Sequence, residues 1–231
     1  MDYVIETGCY DGKNSFTFLR SASINTIHAF EPDHKARKEA KKLLAHEIPG
    51  RVKLFPFGLS DVNQRTYLDF SDGSVGFGQT RLVSEGTDAI EVVKLDDCVD
   101  NLTQTGLLWL DVEGQAVPAL IGGTQTLKSI LIAKIEVQTH NVGPGRKADF
   151  LNVIQIMKNP GLIPPYAPLH PWYFGDIIFA RRSRISLFRK FQSVFLVFQL
   201  NVLHLIIYPM LGKVKAITYS SSSIRSLNSL I

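Results

Sequence analysis

The hydrophobic positions of this chain fall in short bursts separated by polar, helix-favouring stretches. Residues 3–6 form an apolar run ending on Glu6, brief enough for a buried parallel strand. Gly8 and Gly12 bracket a turn, and residues 13–22 place Phe16, Leu19 and Ala22 at helical spacing. A second strand is expected from Asn25 to Phe30. Glu31-Pro32 ends it, because proline removes a ladder donor. Asp33 is placed to cap a helix over 34–46, with Leu43 and Leu44 facing inward. Pro49-Gly50 breaks that helix.

The alternation continues. Val52 to Leu59 predicts a third strand running into Ser60-Asp61, and Thr66 to Phe70 a further strand at an edge. Residues 71–88 are rich in Gly, Ser and Thr and read as a long loop, a feature more often functional than accidental in a compact domain. Ile90 to Leu95 reads as a strand, with Asp96-Asp97 capping a short helix. Leu107 to Asp111 is a buried strand ending in an acid, Val112-Glu113-Gly114 a turn, and Pro118 sits in the first turn of a helix reaching about Leu127. Ile130 to Val137 is a strand carrying Glu136 near its end. A helix over 148–158, an irregular Pro/aromatic loop over 162–175 and a last strand from Asp176 to Ala180 complete the pattern.

Strands alternating with helices predict an α/β fold with a mostly parallel sheet and helices on both faces. Right-handed crossovers bring the carboxyl ends of parallel strands to one edge, where ligands bind. Glu6, Glu31, Ser60-Asp61, Asp111 and Glu136 all fall at or near such ends.

Charge divides the chain in two. Residues 1–180 hold 17 Lys+Arg and all 21 Asp+Glu, a net of −4; residues 181–231 hold 8 basic residues and no acid. An acidic globular part argues against nucleic acid as the partner. The split sets a domain at 1–182 and a basic, hydrophobic tail at 183–231. Within the tail, residues 193–211 are apolar apart from Ser193, Gln199, Asn201 and His204. A helix of that length spans about 28 Å, near the hydrocarbon thickness of a bilayer. The basic residues before it predict a C-terminal hydrophobic helix attached to a membrane, with the domain in the cytoplasm; a helix packed on the domain is the plainer reading. Cys9 and Cys98 are too few for a disulfide framework.

The turn after the first strand is the chemical focus. Gly8 leaves the backbone approachable, and Gly12 lets the helix begin close to the strand. A dinucleotide site needs Gly-x-Gly-x-x-Gly, whereas here the pattern is Glu6-x-Gly8-x-x-x-Gly12. An acid beside the turn repels a pyrophosphate and attracts the ammonium and sulfonium of S-adenosylmethionine. Glu31, at the end of the second strand, is placed to accept both ribose hydroxyls.

With those residues in view, the chain resembles the FkbM family of S-adenosylmethionine-dependent methyltransferases over residues 4–181. The resemblance is carried by Val-Ile-Glu-Thr-Gly-Cys-Tyr-Asp-Gly (4–12), Ala-Phe-Glu-Pro (29–32), Gly-Leu-Ser-Asp (58–61), Lys-Leu-Asp-Asp (94–97), Leu-Asp-Val-Glu-Gly (110–114) and Ile-Glu (135–136). It implies a class I, Rossmann-like methyltransferase fold and O-methylation of a sugar or other hydroxylated metabolite. Glu6 stands where the family usually has Asp, and Gln115 where a second acid is common.

Methyl transfer to an alcohol needs a positioned hydroxyl and a base. Asp111 is the candidate substrate-orienting group and His140 the candidate base, with Glu136 or Glu113 orienting it. Helix capping by Asp111 and Glu113, and a merely solvated His140, are the plain alternatives. The expected cofactor contacts are Glu6, Gly8, Gly12, Glu31, Ser60 and Asp61. Asp111, Glu113, Glu136 and His140 could together hold a hard cation, but no ligand spacing is diagnostic, and no metal is assigned. Cys9 reads as a packing residue in the cofactor turn. Trp172, Tyr173 and Phe174 are either a substrate wall or sheet-end packing. Two other classes stay open: a non-catalytic binding module on the same fold, and a nicotinamide-dependent oxidoreductase, against which Glu6 and the missing glycine count.

Overall fold

The computed structural model describes residues 1–20, 24–45, 50–69, 81–100, 104–138, 150–166 and 174–185. Five buried residues in a row, Tyr3–Thr7, form β1. It pairs in parallel with β2 (Thr26–Phe30) on one side and β8 (Gly106–Leu110) on the other. The β2 edge continues to β3 (Val52–Phe55), and the β8 edge continues to β9 (Ile130–Gln138), both parallel. Two antiparallel strands then close that side: β11 (Phe174–Arg181) on β9, and β10 (Leu162–Tyr166) on β11. The order is β10-β11-β9-β8-β1-β2-β3, seven strands. This mostly parallel sheet is consistent with the expected class I methyltransferase architecture. The strand order reverses between the parallel strands β1 and β8, so the ligand crevice belongs at their carboxyl ends.

Helices cover both faces. α1 (Lys13–Leu19) and α2 (His34–Leu44) pack on one face, where Val4, Cys9, Leu19, Ile27, Ala29 and Ala40 make a small core. α3 (Ala116–Ile121) and α4 (Phe150–Lys158) pack on the other against a larger core containing Ile5, Phe30, Leu108, Leu110, Ile135 and Phe179. Asp33 caps α2 as expected, accepting from Lys35 N at 3.0 Å and Ala36 N at 3.3 Å. The inward face of α2 is carried by Ala36, Ala40 and, as expected, the half-buried Leu44, whereas Leu43 is exposed. Small residues there let the helix sit close: a Cβ on Gly12 would meet Ala40 at 3.1 Å.

Several boundaries differ from the sequence pattern. The single strand expected over 52–59 is two strands in two sheets. Pro56 interrupts it, and β4 (Phe57–Leu59) leaves the main sheet to pair in parallel with β7 (Asp88–Val93). β5 (Gln64–Asp69) and β6 (Arg81–Val83) complete a four-stranded sheet in the order β4-β7-β5-β6. Part of the loop expected over 71–88 is therefore strand, and residues 70–80 lie outside the described residues. The helix holds Pro118 in its first turn as expected but ends at Ile121 and not near Leu127, because Gly122 must pass close to another chain segment: its Cβ would lie 2.0 Å from Ser60 O. A separate 3-10 turn follows at Thr126–Lys128. Asp96 caps that turn and not its own, accepting from Gln125 N at 2.9 Å and Thr126 N at 2.8 Å. The Pro-rich stretch at 162–166 is an edge strand with a register shift, which its Pro164-Pro165 pair explains. Among the described residues no helix is long and apolar enough to cross a membrane. The expected C-terminal helix over 193–211 lies outside the described residues, as does the tail from 186 onward.

Candidate active site

The turn after β1, expected to take the cofactor, is built by alternating left-handed backbone. Gly8, Tyr10 and Gly12 have φ of 69°, 48° and 80°. Gly8 N and Cys9 N both donate to Phe30 O, at 3.0 and 3.1 Å, binding the turn to the end of β2. Tyr10 N donates to Glu31 Oε2 at 2.8 Å, and Asp33 N donates to Glu31 Oε1 at 2.9 Å. Both carboxylate oxygens are thus held by main-chain amides, with lone pairs left for a ligand. Burial raises the Glu31 carboxyl above its usual range, while the two amide bonds pull it back. Arg37 Nη1 supports the corner by donating to Glu31 O at 2.7 Å and Pro32 O at 2.9 Å.

A cavity of about 1000 Å³ opens at this edge. Thr7, Gly8, Tyr10 and Asp11 form one wall, and Phe30, Glu31, Pro32, Asp33 and Lys35 the next. Phe57, Gly58, Leu59 and Leu68 bring the small sheet to a third side, and Asp111, Val112, Glu113 and Gln115 close the fourth. Gly8, Glu31, Asp111 and Glu113 therefore share one cavity, as their strand-end positions predict. Gly12 lies just behind it, at the start of α1.

Gly12 is thus one of four expected contacts that are not on the wall; the others are Glu6, Ser60 and Asp61. Glu6 is fully buried under α1, and its carboxylate accepts from Ser15 Oγ. Period-two alternation explains this: Val4 and Glu6 point to the α1 side of β1, while the cavity lies beyond the strand end. Burial pushes the Glu6 carboxyl up to about 7, and its Oε1 has no partner among the described residues. Ser60 and Asp61 also miss the cavity. The break at Pro56 makes Phe57, Gly58 and Leu59 the bordering residues, and Ser60 Oγ is turned to Asp61 Oδ1 at 3.1 Å. Cys9 is buried, and burial, then Glu6 and Glu31, push its thiol up, as befits a packing residue.

Asp111 follows β8, with its N–H donating to Thr7 O at 3.2 Å. The next turn is tight: Glu113 and Gly114 have φ of 49° and 85°, and Gln115 N donates to Val112 O at 3.1 Å. Carboxylate oxygens of Asp111, Glu113 and Glu136 all lie within 4.8 Å of one another. Neighbouring negative charge at that distance favours a proton or a cation between them. Burial first, then Asp111 and Glu113, push the Glu136 carboxyl well above the usual carboxylate range. Its strand neighbour Asp176 is neutralised by Lys134 Nζ at 2.7 Å, and that ammonium also stands 4.3 Å from the Trp109 ring centroid. His140, His170, Trp172 and Tyr173 lie outside the described residues.

Tyr10 was not singled out by sequence reasoning. It is 55% exposed at the cavity, on a left-handed backbone that a non-glycine residue seldom adopts. Its only sequence signal is its position between two turn glycines.

The model of the Methyltransferase FkbM domain matches residues 7–162. The 2-O-methyltransferase NoeI of Sinorhizobium fredii is 27% identical over 145 residues, covering 54% of this chain and 58% of NoeI. The crystal structure of methyltransferase FkbM from Methylobacillus flagellatus superposes with a TM-score of 0.55 at 17% identity, over 77% of this chain and 43% of that one. That likeness bears on the fold. This chain spans little more than half of the curated relative and less than half of the solved one. On the family match across two-thirds of its length, the chain belongs to the FkbM methyltransferase family.

Proposed function

We propose that this chain is an S-adenosylmethionine-dependent O-methyltransferase acting on a hydroxyl of a sugar or other small metabolite or glycan. The observation that carries the reading is Glu31, a carboxylate fixed by Tyr10 N and Asp33 N on the wall of a cavity shared with Asp111 and Glu113. The family membership and the name of the NoeI relative, a 2-O-methyltransferase, support the reaction type.

The residues fit the cofactor. The positive-φ backbone at Gly8 and Gly12 leaves the turn bare of side chains at those positions, and Glu31 offers lone pairs to a ribose diol. When bound, the cofactor supplies an electrophilic methyl group on a good leaving group. The protein has to orient the acceptor hydroxyl and exclude water. In this reading Asp111 accepts the hydroxyl hydrogen bond from the cavity wall. Glu136, held protonated, donates to Asp111 and fixes its carboxylate, and Glu113 flanks the pair. His140, a short way beyond β9, is the proposed base. Glu6 acts from below by tying β1 to α1 through Ser15.

Calorimetric titration of the full chain with S-adenosylmethionine tests the proposal. Binding that is lost in Glu31→Ala supports it. No binding by a folded wild-type chain sinks it and leaves a non-catalytic module. The tail belongs to the same proposal: residues 193–211 attach the domain to the cytoplasmic face of a membrane. Its basis is the apolar run and the preceding basic residues, and complete release by carbonate extraction would rule out a spanning helix.

A further inference from the structure

We infer that Tyr10 selects the charged cofactor over its neutral product, by presenting its ring to the sulfonium. This rests on the S-adenosylmethionine reading above. Tyr10 lines the cavity, and among the described residues no large hydrophobic side chain is more exposed. Its backbone is left-handed, at φ 48°, a conformation that a bulky residue seldom adopts. Asparagine would relieve that strain, and a polar residue would suit the exposure. Neither local rule asks for an aromatic ring here. Strained positions of this kind cluster where a side chain meets a ligand.

The surroundings of the ring say which part of the ligand it meets. Tyr10 N donates to Glu31 Oε2 at 2.8 Å, so the ring grows from a point fixed against the proposed ribose carboxylate. Two residues earlier, Gly8 packs directly on the Asp111 carbonyl, where a Cβ would clash. The stretch 8–10 therefore spans the gap between the proposed ribose site and the proposed acceptor site. The sulfur belongs in that gap, because one methylene joins it to the ribose and its methyl group has to face the acceptor. Thr7 is fully buried, Gly8 offers no side chain and Asp11 is paired with Lys13 at 2.6 Å. The Tyr10 ring is then what the turn contributes to the sulfur. An aromatic face attracts a cation lying within about 6 Å of its centre. The thioether left after methyl transfer carries no charge, so the same ring holds the product less and favours its exchange for fresh cofactor.

The test is calorimetry on the full chain with S-adenosylmethionine and, separately, S-adenosylhomocysteine, for wild type, Tyr10→Phe and Tyr10→Asn. Tyr10→Asn is expected to lose roughly threefold to thirtyfold in affinity for S-adenosylmethionine and distinctly less for S-adenosylhomocysteine. Tyr10→Phe keeps the ring and is expected to keep the wild-type ratio of the two affinities. Asparagine tolerates the left-handed backbone and keeps the N–H bond to Glu31, so Tyr10→Asn should melt no lower than wild type. Equal losses for both ligands, or none for either, overturn the inference, because the charge on sulfur is then not what the ring reads. So does a Tyr10→Phe variant that behaves like Tyr10→Asn, which would assign the effect to the hydroxyl. A lower thermal midpoint in Tyr10→Asn would make the ring a packing residue and overturn it as well. Failure of folded wild type to bind either ligand would instead sink the methyltransferase reading, which keeps the two failures apart.

Discussion

A Cβ placed on Gly8 would lie 1.9 Å from the main-chain carbonyl oxygen of Asp111. The cofactor turn and the acidic turn are thus in backbone contact, and the distance between the two halves of the cavity is set by the absence of one side chain. The contact is reinforced by Asp111 N donating to Thr7 O at 3.2 Å. Neither partner can retreat, since Gly8 N is itself bound to Phe30 O at 3.0 Å. Gly8→Ala adds this clash to a left-handed φ of 69°. Overpacking and backbone strain together predict a loss of roughly 2–5 kcal/mol. For a chain of this size the thermal midpoint falls by roughly 5–15 °C. An unchanged melting curve would mean that the two turns are not packed as described.

The second acidic turn carries its own strain. Glu113 is a non-glycine residue at φ 49°, followed by Gly114 at φ 85°. Two consecutive positive φ values suit glycine, asparagine or aspartate better than glutamate. Such outliers cluster at functional sites, where the side chain is worth its strain. Glu113→Gly is therefore expected to gain roughly 0.5–1 kcal/mol of stability, whereas Glu113→Gln gains none. Both should slow methyl transfer. Thermal melts and initial rates on the two variants check this, and full activity in Glu113→Gly would reduce Glu113 to a turn residue.

Much of this architecture is legible because it rests on local rules. The apolar run before Glu6, the proline after Glu31 and the cap at Asp33 each determine an element through its own chemistry. What the sequence hides is long-range. Nothing local announces that Pro56 sends Phe57-Gly58-Leu59 into a second sheet, because the hydrophobic pattern continues across the break. The strand-end position of Ser60-Asp61 consequently fails to predict its distance from the cavity. Glu6 shows the complementary limit. Its place in the motif is readable, but whether a strand-end carboxylate turns outward or under a helix depends on the alternation phase. Asp96 similarly caps a turn about thirty residues away, and no spacing rule reaches that far.

Buried carboxyls give the fold a pH dependence of definite sign. Glu6 titrates at about 7 when folded against 4.5 as its ordinary value, chiefly through burial. Glu136 is also raised, by burial and then by Asp111. A raised folded-state pKa means that the native state binds the extra proton. Stability from these groups is complete below about pH 4.5 and declines as pH rises through neutrality. Glu136→Gln keeps the shape and removes the titration. It should flatten the decline above pH 7 and raise stability at pH 8 by ~1–2 kcal/mol, allowing for partial exposure. Denaturant melts from pH 5 to 9 measure this. Identical slopes in wild type and variant would show that the proton is not held at Glu136.

Glu31 serves two tasks, and a conservative substitution separates them. Its oxygens hold Tyr10 N at 2.8 Å and Asp33 N at 2.9 Å, so the carboxylate both braces the cofactor turn and faces the cavity. Glu31→Gln leaves one oxygen and places an amide donor against a main-chain N–H. One of the two amide bonds is lost and a donor is left facing a donor. The cost to stability is about 1–3 kcal/mol. A ribose diol donating to the same group loses an acceptor too, so affinity for S-adenosylhomocysteine should fall about tenfold or more. Asp33→Ala is the control: it removes the α2 cap, costing about 1 kcal/mol, but leaves both Glu31 oxygens in place. Calorimetry on the two variants, each with its thermal midpoint, gives the separation. If Glu31→Gln loses stability like Asp33→Ala yet binds as wild type does, Glu31 is a brace alone and the ribose is held elsewhere in the cavity.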